Sequence, residues 1–253
     1  MNKRMMKQYK AVFIDWDDTI GDFHGAAQRA LHEMYLKYEL NRFFVSCEEF
    51  VAIYKPHNIE LWSLYGEGSV TKGYLSLDRF LFPLFHGTKT IEKIEQGLLQ
   101  VSILPVLAQQ LSNDFLALTT AYFTLLPGAE KVVRYLASKY PLTIVTNGFI
   151  EVQYEKFQKS GLRDCFSHIV LSEEVGCQKP NARIFEEALR QNGLSADEVV
   201  MIGDSLESDI LGAQNAGIDQ IWLMNKSEMK TGCPLNADAT YAVESLEDVM
   251  NIL

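Results

Sequence analysis

Three carboxylates directly follow a short apolar run near the start of the chain. The run Ala11-Val12-Phe13-Ile14 leads into Asp15, Asp17 and Asp18, and such a run is typical of a strand buried on both faces in a parallel sheet. Asp15 and Asp17 are two residues apart, so they would share a face of an extended chain. Because neighbouring carboxylates need a metal ion, a proton or a cation, the stretch predicts a magnesium-assisted site with a carboxylate nucleophile. A strand that leads into an acidic turn is the simpler alternative.

The composition limits the classes of function. The chain has 253 residues, 47% apolar and 22% charged, with a net charge of −10 and a pI of about 5.0. This is ordinary for a globular protein, but it argues against a nucleic-acid partner, which requires a basic surface. A small anionic substrate remains compatible with the charge, since a metal ion and one lysine can reverse the field inside a pocket.

The cysteines and the apolar runs indicate a cytoplasmic protein. The four cysteines, Cys47, Cys165, Cys177 and Cys233, are scattered and form no CxxC pair, so we expect reduced thiols. The sequence contains neither a signal peptide nor an apolar run long enough to span a membrane, and we expect no membrane partner. It leaves open whether the protein is a monomer or a homodimer.

A long helical region follows the acidic stretch. Between Ile20 and about Phe115 the apolar residues recur at steps of three and four, and no convincing strand interrupts them. One such repeat predicts a helix over residues 91–101, and Pro83 is expected to end or kink the helix before it. Arg79 lies in a helical stretch and is expected on a solvated face. The pattern predicts an all-helical insert over residues 21–111.

The rest of the chain alternates between strands and helices. The predicted strands after the insert are 142–145, 169–171, 199–202 and 221–223. This alternation indicates an α/β fold with a parallel sheet covered by helices. The first strand must pair into that sheet because an isolated strand is not stable. Residues 1–20 and 112–253 are therefore expected to form one Rossmann-like catalytic core.

Polar residues follow four of the predicted strands. They are Asp15 and Asp17, then Thr146 and Asn147, then Lys179, and finally Asp204 and Asp209. Loops at the carboxyl edge of a parallel sheet converge, so these side chains are expected to meet. Together they provide a nucleophile, acids for Mg²⁺, hydroxyl and amide donors for phosphate oxygens, and a cation, as phosphoryl transfer requires.

These segments resemble the motifs of a known family. The segments in chain order are Asp15-Trp16-Asp17-Asp18-Thr19, Thr146-Asn147-Gly148, Lys179-Pro180 and Gly203-Asp204-Ser205-Leu206-Glu207-Ser208-Asp209. They resemble the four motifs of the haloacid dehalogenase-like (HAD) hydrolase superfamily, and the helical insert resembles the cap of its helical-cap subclass. In further detail, the segments resemble those of the pyrimidine 5′-nucleotidases of that superfamily.

The resemblance implies the catalytic and phosphate-binding roles. Asp15 would attack phosphorus and form an aspartyl-phosphate, and Asp17 would act as general acid and then as general base. Lys179 would neutralise charge on Asp15 and on the transferred group. Thr146 and the amides of Asn147 and Gly148 would bind the phosphate.

The resemblance also implies a Mg²⁺ cofactor and its ligands. The ligands would be the Asp15 carboxylate, the main-chain carbonyl of Asp17 and Asp204. Asp209 and Ser205 are expected just outside these ligands, where Asp209 acts through water or orients Lys179. Asp18 is expected to be a turn residue without a catalytic role.

The implied function is a Mg²⁺-dependent phosphatase that hydrolyses a nucleoside 5′-monophosphate, a pyrimidine nucleotide by resemblance. A sugar-phosphate or phosphoglycolate-type phosphatase and a phosphomutase of the same superfamily are alternatives. A haloacid dehalogenase would share the fold, but Asp17 argues against that chemistry. A phospho-accepting signalling or binding module is an alternative of another class. The first-strand acceptor and the long insert argue against it.

Overall fold

A computed structural model describes residues 7–224 and 239–253, so Cys233 lies outside the described residues. The chain divides into two compact units. Residues 1–23 and 123–253 form the first, called here the core unit, and residues 24–122 form the second, called the helical unit. In the described ranges, no helix is both long and apolar enough to cross a membrane. Cys47, Cys165 and Cys177 are free thiols.

The core unit is built on a parallel sheet with the order β3-β2-β1-β4-β5-β6. Its strands are β1 (Ala11–Ile14), β2 (Leu142–Thr146), β3 (His168–Leu171), β4 (Val199–Gly203), β5 (Asp219–Leu223) and β6 (Tyr241–Val243). In the middle of the sheet, Ile14 of β1 pairs with Ile144 of β2 on one side and with Ile202 of β4 on the other. The predicted Rossmann-like sheet is confirmed, and β6 is an edge strand that the sequence did not reveal.

The helical unit contains helices throughout. They are α1 (Phe23–Lys37), which begins at the last residue of the core unit, α2 (Cys47–Gly66), α3 (Lys72–His86), α4 (Thr88–Glu95) and α5 (Leu104–Ala121). This unit extends to Tyr122, beyond the predicted boundary at residue 111, because α5 is unbroken to Ala121.

Two helix ends in this unit differ from the prediction. The helix predicted over residues 91–101 is too long. Its observed counterpart, α4, ends at Glu95, and Gly97 follows with a φ of +68° that breaks the helix. Pro83 does not end α3, which continues to His86, and a kink at Pro83 stays a prediction. The proline lies near the end of α3, where few backbone hydrogen bonds are affected.

The expectation of a solvated Arg79 is wrong. Its side chain is buried between α3 and α5, with the guanidinium carbon 5.4 Å from the centre of the Phe80 ring and 4.9 Å from that of Phe115. One nitrogen approaches the Ser112 hydroxyl at 3.5 Å. The helical period correctly predicted the helix, but Arg79 lies on the apolar face of α3.

The helices of the core unit cover the sheet. They are α6 (Ala129–Ala137), α7 (Ile150–Ser160), α8 (Ser172–Val175), α9 (Ala182–Asn192) and α10 (Leu211–Asn215), and a π-helical turn over Leu206–Ile210 precedes α10. Successive side chains of β1 pack into two different apolar cores, with Val12 and Ile14 in one and Ala11 and Phe13 in the other. Burial of Val12, Phe13 and Ile14 stabilises the fold by about 1.5–3 kcal/mol for each side chain, so β1 holds the residues that follow Ile14 in a fixed position.

Candidate active site

Asp15 lies at the carboxyl end of the central strand. Its backbone N–H donates to the carbonyl of Ile202 at 2.9 Å, which continues the pairing of β1 with β4 by one residue. The side chain is buried, and its Oδ1 accepts from the Lys179 ammonium at 2.5 Å. Among the described residues, Oδ2 has no hydrogen-bond donor. Asp15 therefore has one oxygen fixed by a cation and one available for chemistry.

Lys179 has three acceptors for its three N–H groups. These are Asp15 Oδ1 at 2.5 Å, Asp209 Oδ1 at 2.6 Å and the Val145 carbonyl at 2.8 Å. Burial lowers the pKa of Lys179, but the charges of Asp15 and Asp209 outweigh burial and raise the pKa above its ordinary value. The ammonium is therefore charged and fully bound beside the predicted nucleophile.

The side chain of Asn147 holds the loop that carries Lys179. Its Nδ2 donates to the Lys179 carbonyl at 3.0 Å, and its Oδ1 accepts from the Lys179 N–H at 2.9 Å. This pair of bonds joins the end of β2 to the loop after α8. The prediction assigned Asn147 a main-chain role toward phosphate, and the structure adds a side-chain role in positioning the lysine.

Three carboxylates of the core unit converge at the end of the sheet. One oxygen from each of Asp15, Asp204 and Asp209 lies within 4.8 Å of the other two. Asp204 accepts from the Thr19 hydroxyl at 3.2 Å, and its carbonyl accepts from the indole N–H of Trp222 at 3.0 Å. The structure thus brings together the two side chains predicted as metal ligands, and Thr19 is a partner of Asp204 that the sequence did not reveal.

Asp209 has both oxygens engaged. Oδ1 accepts from Lys179 and Oδ2 accepts from the backbone N–H of Ser205 at 3.1 Å. The side chain also packs so closely on Gly203 that a Cβ there would lie 2.4 Å from its carboxyl group. These contacts agree with an orienting role for Asp209, and Ser205 contributes to that role through its main chain.

The charge of this cluster favours a divalent cation. Burial raises the pKa of Asp15 to about 7, with Lys179 opposing the shift and Asp209 adding to it. Burial also raises the pKa of Asp204 to about 9, and the charges of Asp15 and Asp209 contribute to this. Carboxylate oxygens are the ligands that Mg²⁺ prefers. The donor set fits Mg²⁺, because the ion would neutralise negative charge that burial and mutual repulsion make unfavourable.

Asp17 lies apart from this cluster and has its own partners. Its side chain is about a quarter exposed. The Lys156 ammonium binds its Oδ1 at 2.9 Å, and the Gln153 amide donates to its Oδ2 at 2.8 Å. Both partners are on α7 and are buried. Neither was predicted. Gln153 and Lys156 are three residues apart in the helix that follows Thr146-Asn147-Gly148. This spacing could have indicated that they share a face of the helix.

The Thr146 hydroxyl has its proton available for a ligand in the site. Its oxygen accepts from the backbone N–H of Gly148 at 3.2 Å and from the Gln153 amide at 2.9 Å. A hydroxyl has two acceptor sites and one proton. Because both acceptor sites are in use, the proton is left for a further acceptor. A phosphate oxygen is such an acceptor, in agreement with the predicted role of Thr146.

The other two residues of the acidic stretch make local contacts, and the charge of Asp18 also contributes to the raised pKa of Asp204. Asp18 has a φ of +64°, and its backbone N–H donates to the carbonyl of Gly21 at 2.7 Å, so it forms a tight turn. Trp16 is completely buried against the rings of Phe123 and Phe157. The stretch therefore alternates between side chains directed to the site and a side chain in the core.

Comparisons with known proteins agree with this geometry. The family model described as haloacid dehalogenase-like hydrolase matches residues 9–217. The chain is 31% identical to pyrimidine 5′-nucleotidase YjjG of Escherichia coli, with 96% of each chain covered. It is 30% identical to pyrimidine 5′-nucleotidase PynA of Streptococcus pneumoniae, covering 97% of this chain and 95% of PynA.

A solved structure extends the similarity to the fold. The crystal structure of the HAD-hydrolase YfnB from Bacillus subtilis, described as bound to magnesium, superposes with a TM-score of 0.78 and 29% identity. The match covers 98% of this chain and 99% of YfnB. With the family model matching most of the chain, and with the strand-end carboxylates and lysine in one cluster, the chain belongs to the haloacid dehalogenase-like hydrolase family.

Proposed function

We propose that this chain is a Mg²⁺-dependent phosphatase that hydrolyses phosphate monoesters through an aspartyl-phosphate on Asp15. One observation carries the proposal. Asp15 has one oxygen bound to Lys179 at 2.5 Å and the other without a donor among the described residues, beside carboxylates suited to Mg²⁺. A carboxylate that attacks a phosphate dianion meets strong repulsion at low dielectric, so it requires this positive surrounding.

In the first step, Asp15 Oδ2 forms a bond to phosphorus while the bond from phosphorus to the ester oxygen breaks. Asp17 gives its proton to the departing oxygen, which leaves as an alcohol. Lys179 remains bound to Asp15 Oδ1, and the Thr146 hydroxyl donates to the transferred phosphoryl group. The products of this step are the alcohol and a phosphorylated Asp15.

In the second step, a water molecule attacks the phosphorus of the aspartyl-phosphate. The Asp17 carboxylate, formed in the first step, takes a proton from that water. The bond between phosphorus and Asp15 breaks, which releases inorganic phosphate and restores both carboxyl groups to their starting states. No other donor or acceptor of protons is needed to complete the cycle.

Mg²⁺ would be held by the side chains of Asp15 and Asp204 and, as predicted, by the main-chain carbonyl of Asp17. When bound, it would supply positive charge to the phosphoryl oxygens. Asp209 would keep Lys179 in place, since both of its oxygens are already bound to protein donors. Ser205 would support Asp209 through its backbone N–H.

The proposed substrate is a pyrimidine nucleoside 5′-monophosphate. The support is the similarity to YjjG and PynA, both named pyrimidine 5′-nucleotidases, over 96–97% of this chain. That similarity includes the helical unit and not only the motifs of the core unit. We also propose a cytoplasmic enzyme, which agrees with the free thiols of Cys47, Cys165 and Cys177.

A panel of phosphate monoesters tests this function. It should contain UMP, dUMP, dTMP, AMP, sugar phosphates, phosphoglycolate and p-nitrophenyl phosphate, with phosphate release measured in Mg²⁺ and in EDTA. We expect the highest kcat/KM for a pyrimidine nucleotide, no release in EDTA, and recovery when Mg²⁺ is restored.

The other outcomes separate the levels of the proposal. Preference for a sugar phosphate would reject the nucleotidase assignment and keep the phosphatase. Isomerised sugar phosphate in place of free phosphate would indicate a phosphomutase. Full activity in EDTA would contradict the metal site, and no hydrolysis of any ester in Mg²⁺ would contradict the proposal as a whole.

A further inference from the structure

Two buried residues of α7 bind the carboxylate of Asp17 from both sides. Lys156 Nζ lies 2.9 Å from Oδ1, and Gln153 Nε2 lies 2.8 Å from Oδ2. Gln153 and Lys156 are three residues apart and share a face of the helix. Each oxygen of Asp17 therefore has its own donor, which restricts the rotation of the carboxylate.

Gln153 also connects Asp17 with the predicted phosphate cradle. The same amide nitrogen that binds Asp17 donates to the Thr146 hydroxyl oxygen at 2.9 Å. It packs directly on Gly148, where a Cβ would lie 1.9 Å from the amide nitrogen. Any side chain at position 148 would displace Gln153. This gives a physical reason for glycine there, in addition to the predicted role of its amide.

Lys156 is buried in a way that makes Asp17 its ionic partner. The lysine side chain is 2% exposed, and Asp17 is the carboxylate within ion-pair distance of it in the described part of the chain. The ammonium lies 4.8 Å from the centre of the Phe23 ring, which adds a cation–π contact. A buried ion pair is costly in desolvation and is weak evidence for a purely stabilising role.

The helix that carries the pair is anchored beside the site. α7 begins at Ile150, whose backbone N–H donates to the Glu173 carboxylate at 2.8 Å. Gln153, in the first turn of α7, also donates to the Thr146 hydroxyl, so this end of the helix lies at the carboxyl end of β2. A helix fixed in this way brings the side chains of both donors to Asp17.

We propose that Lys156 and Gln153 are positioning residues that hold Asp17 for proton transfer to the leaving oxygen. The inference rests on the proposed function, since it assigns a role to these residues through Asp17. Each donor fixes one oxygen of Asp17, so together they set the direction in which this carboxyl group can give a proton. Their effect is therefore expected in the step that expels the leaving group.

The experiment uses the acidity of the leaving group as its readout. p-Nitrophenolate departs without a proton, whereas the more basic phenolate requires one. For Lys156→Met and for Gln153→Leu we expect kcat/KM to fall about ten- to hundredfold with phenyl phosphate, less than the roughly hundred- to ten-thousandfold effect of general acid catalysis itself, because Asp17 is still present. With p-nitrophenyl phosphate the loss should be much smaller. Lys156→Arg, which keeps a cation, should recover most of the loss.

Controls on the same helix and in the same pair distinguish positioning from stability. Lys159→Met removes an exposed lysine, three residues further along α7, that pairs with Glu155, and it should change neither substrate's kcat/KM. In an Asp17→Asn background, Lys156→Met should add little further loss, because its effect acts through Asp17. Thermal unfolding of every variant identifies those that fail to fold, and Gln153→Leu tests the proposal independently if Lys156→Met is one of them.

The positioning role would be overturned if either variant lost kcat/KM equally with both substrates, or if neither variant lost kcat/KM with either substrate. Neither result would contradict the phosphatase proposal. The positioning role would also be overturned if Lys156→Met caused the same fold-loss of kcat/KM in the Asp17→Asn background as it does alone. Failure of the proposed function has a different signature, since the unaltered protein would then hydrolyse neither aryl phosphate in Mg²⁺.

Discussion

Each unit of the molecule buries a strongly basic side chain, but the two side chains have different partners. In the core unit, Lys179 lies 2.5 Å from Asp15 and 2.6 Å from Asp209. Burial lowers its pKa, and the two carboxylates more than compensate and raise the pKa above its ordinary value. The lysine thus belongs to a compact network of opposite charges.

In the helical unit, Arg79 is surrounded by aromatic rings instead of carboxylates. The guanidinium lies over the rings of Phe115 and Phe80, and its hydrogen bond to the Ser112 hydroxyl is long, at 3.5 Å. Among the described residues, its Nε has no acceptor and no carboxylate lies within 4.0 Å. Burial lowers the pKa of Arg79, and the nearby Tyr54 opposes this only in part.

The comparison shows that burial of a charge is not sufficient to identify a site. The two carboxylates around Lys179 come from the segments that follow β1 and β4, and the fold has to bring them together at an energetic cost. The rings around Arg79 are ordinary residues of a helical core. Removing one partner of a buried pair leaves an uncompensated charge, whereas removing a cation without a counter-charge does not. The two cations should therefore respond differently to substitution.

The largest expected effect is that of Asp15→Asn. The amide keeps the size of the side chain but lacks the nucleophilic oxygen, so kcat for p-nitrophenyl phosphate in Mg²⁺ should fall by more than about a thousandfold. Circular dichroism and thermal unfolding should show an intact fold. Activity within tenfold of the unaltered protein, about 1.4 kcal/mol of transition-state stabilisation, would reject Asp15 as the nucleophile.

Asp18→Asn is the matched control for that change. Asp18 has the same charge, lies three residues further along the chain, and adopts a left-handed backbone that asparagine also tolerates. We expect the variant to retain most of its activity. A loss comparable to that of Asp15→Asn would mean that the acidic stretch acts as a whole, and the separate roles of its residues would have to be abandoned.

The next largest effect is expected for Lys179→Met, in both stability and activity. The substitution leaves the carboxylates of Asp15 and Asp209 buried without their cation, which should lower the free energy of unfolding by about 3–5 kcal/mol. Urea unfolding followed by tryptophan fluorescence measures the change. Hydrolysis of p-nitrophenyl phosphate should fall below detection. Unchanged stability would show that the network does not depend on the charge of Lys179.

The sequence predicted the parts of the core unit that have strong local signals. β1 and β4 are apolar runs that lead directly into aspartates, whereas β2 and β5 contain shorter apolar runs, and the parallel sheet brings the polar ends of β1, β2 and β4 together as expected. β6 escaped detection because it has three residues, Tyr241–Val243, one of which is exposed. An edge strand of this length has neither the apolar run nor the alternation on which strand prediction depends.

The partners of Asp17 could not be predicted for a different reason. Gln153 and Lys156 are separated from it by 136 and 139 residues in sequence, and glutamine and lysine usually lie on the solvated face of a helix. Arg79 was misjudged on the same basis, since a charged residue in an amphipathic helix is expected outside. Periodicity predicts that a helix exists, but the packing around it decides which polar residues are buried.

The smallest effect is expected for Arg79→Met, which tests the other side of the comparison. Methionine fills a similar volume and removes the cost of desolvating the guanidinium. The substitution also removes the cation–π contacts of Arg79 with Phe80 and Phe115. These contributions oppose each other, so the free energy of unfolding should change by less than about 1 kcal/mol in either direction. The same urea titration as for Lys179→Met measures both variants. If Arg79→Met were as destabilising as Lys179→Met, ring faces would neutralise a buried cation as effectively as carboxylates do. The distinction between the two units would then rest on the chemistry at the strand ends alone.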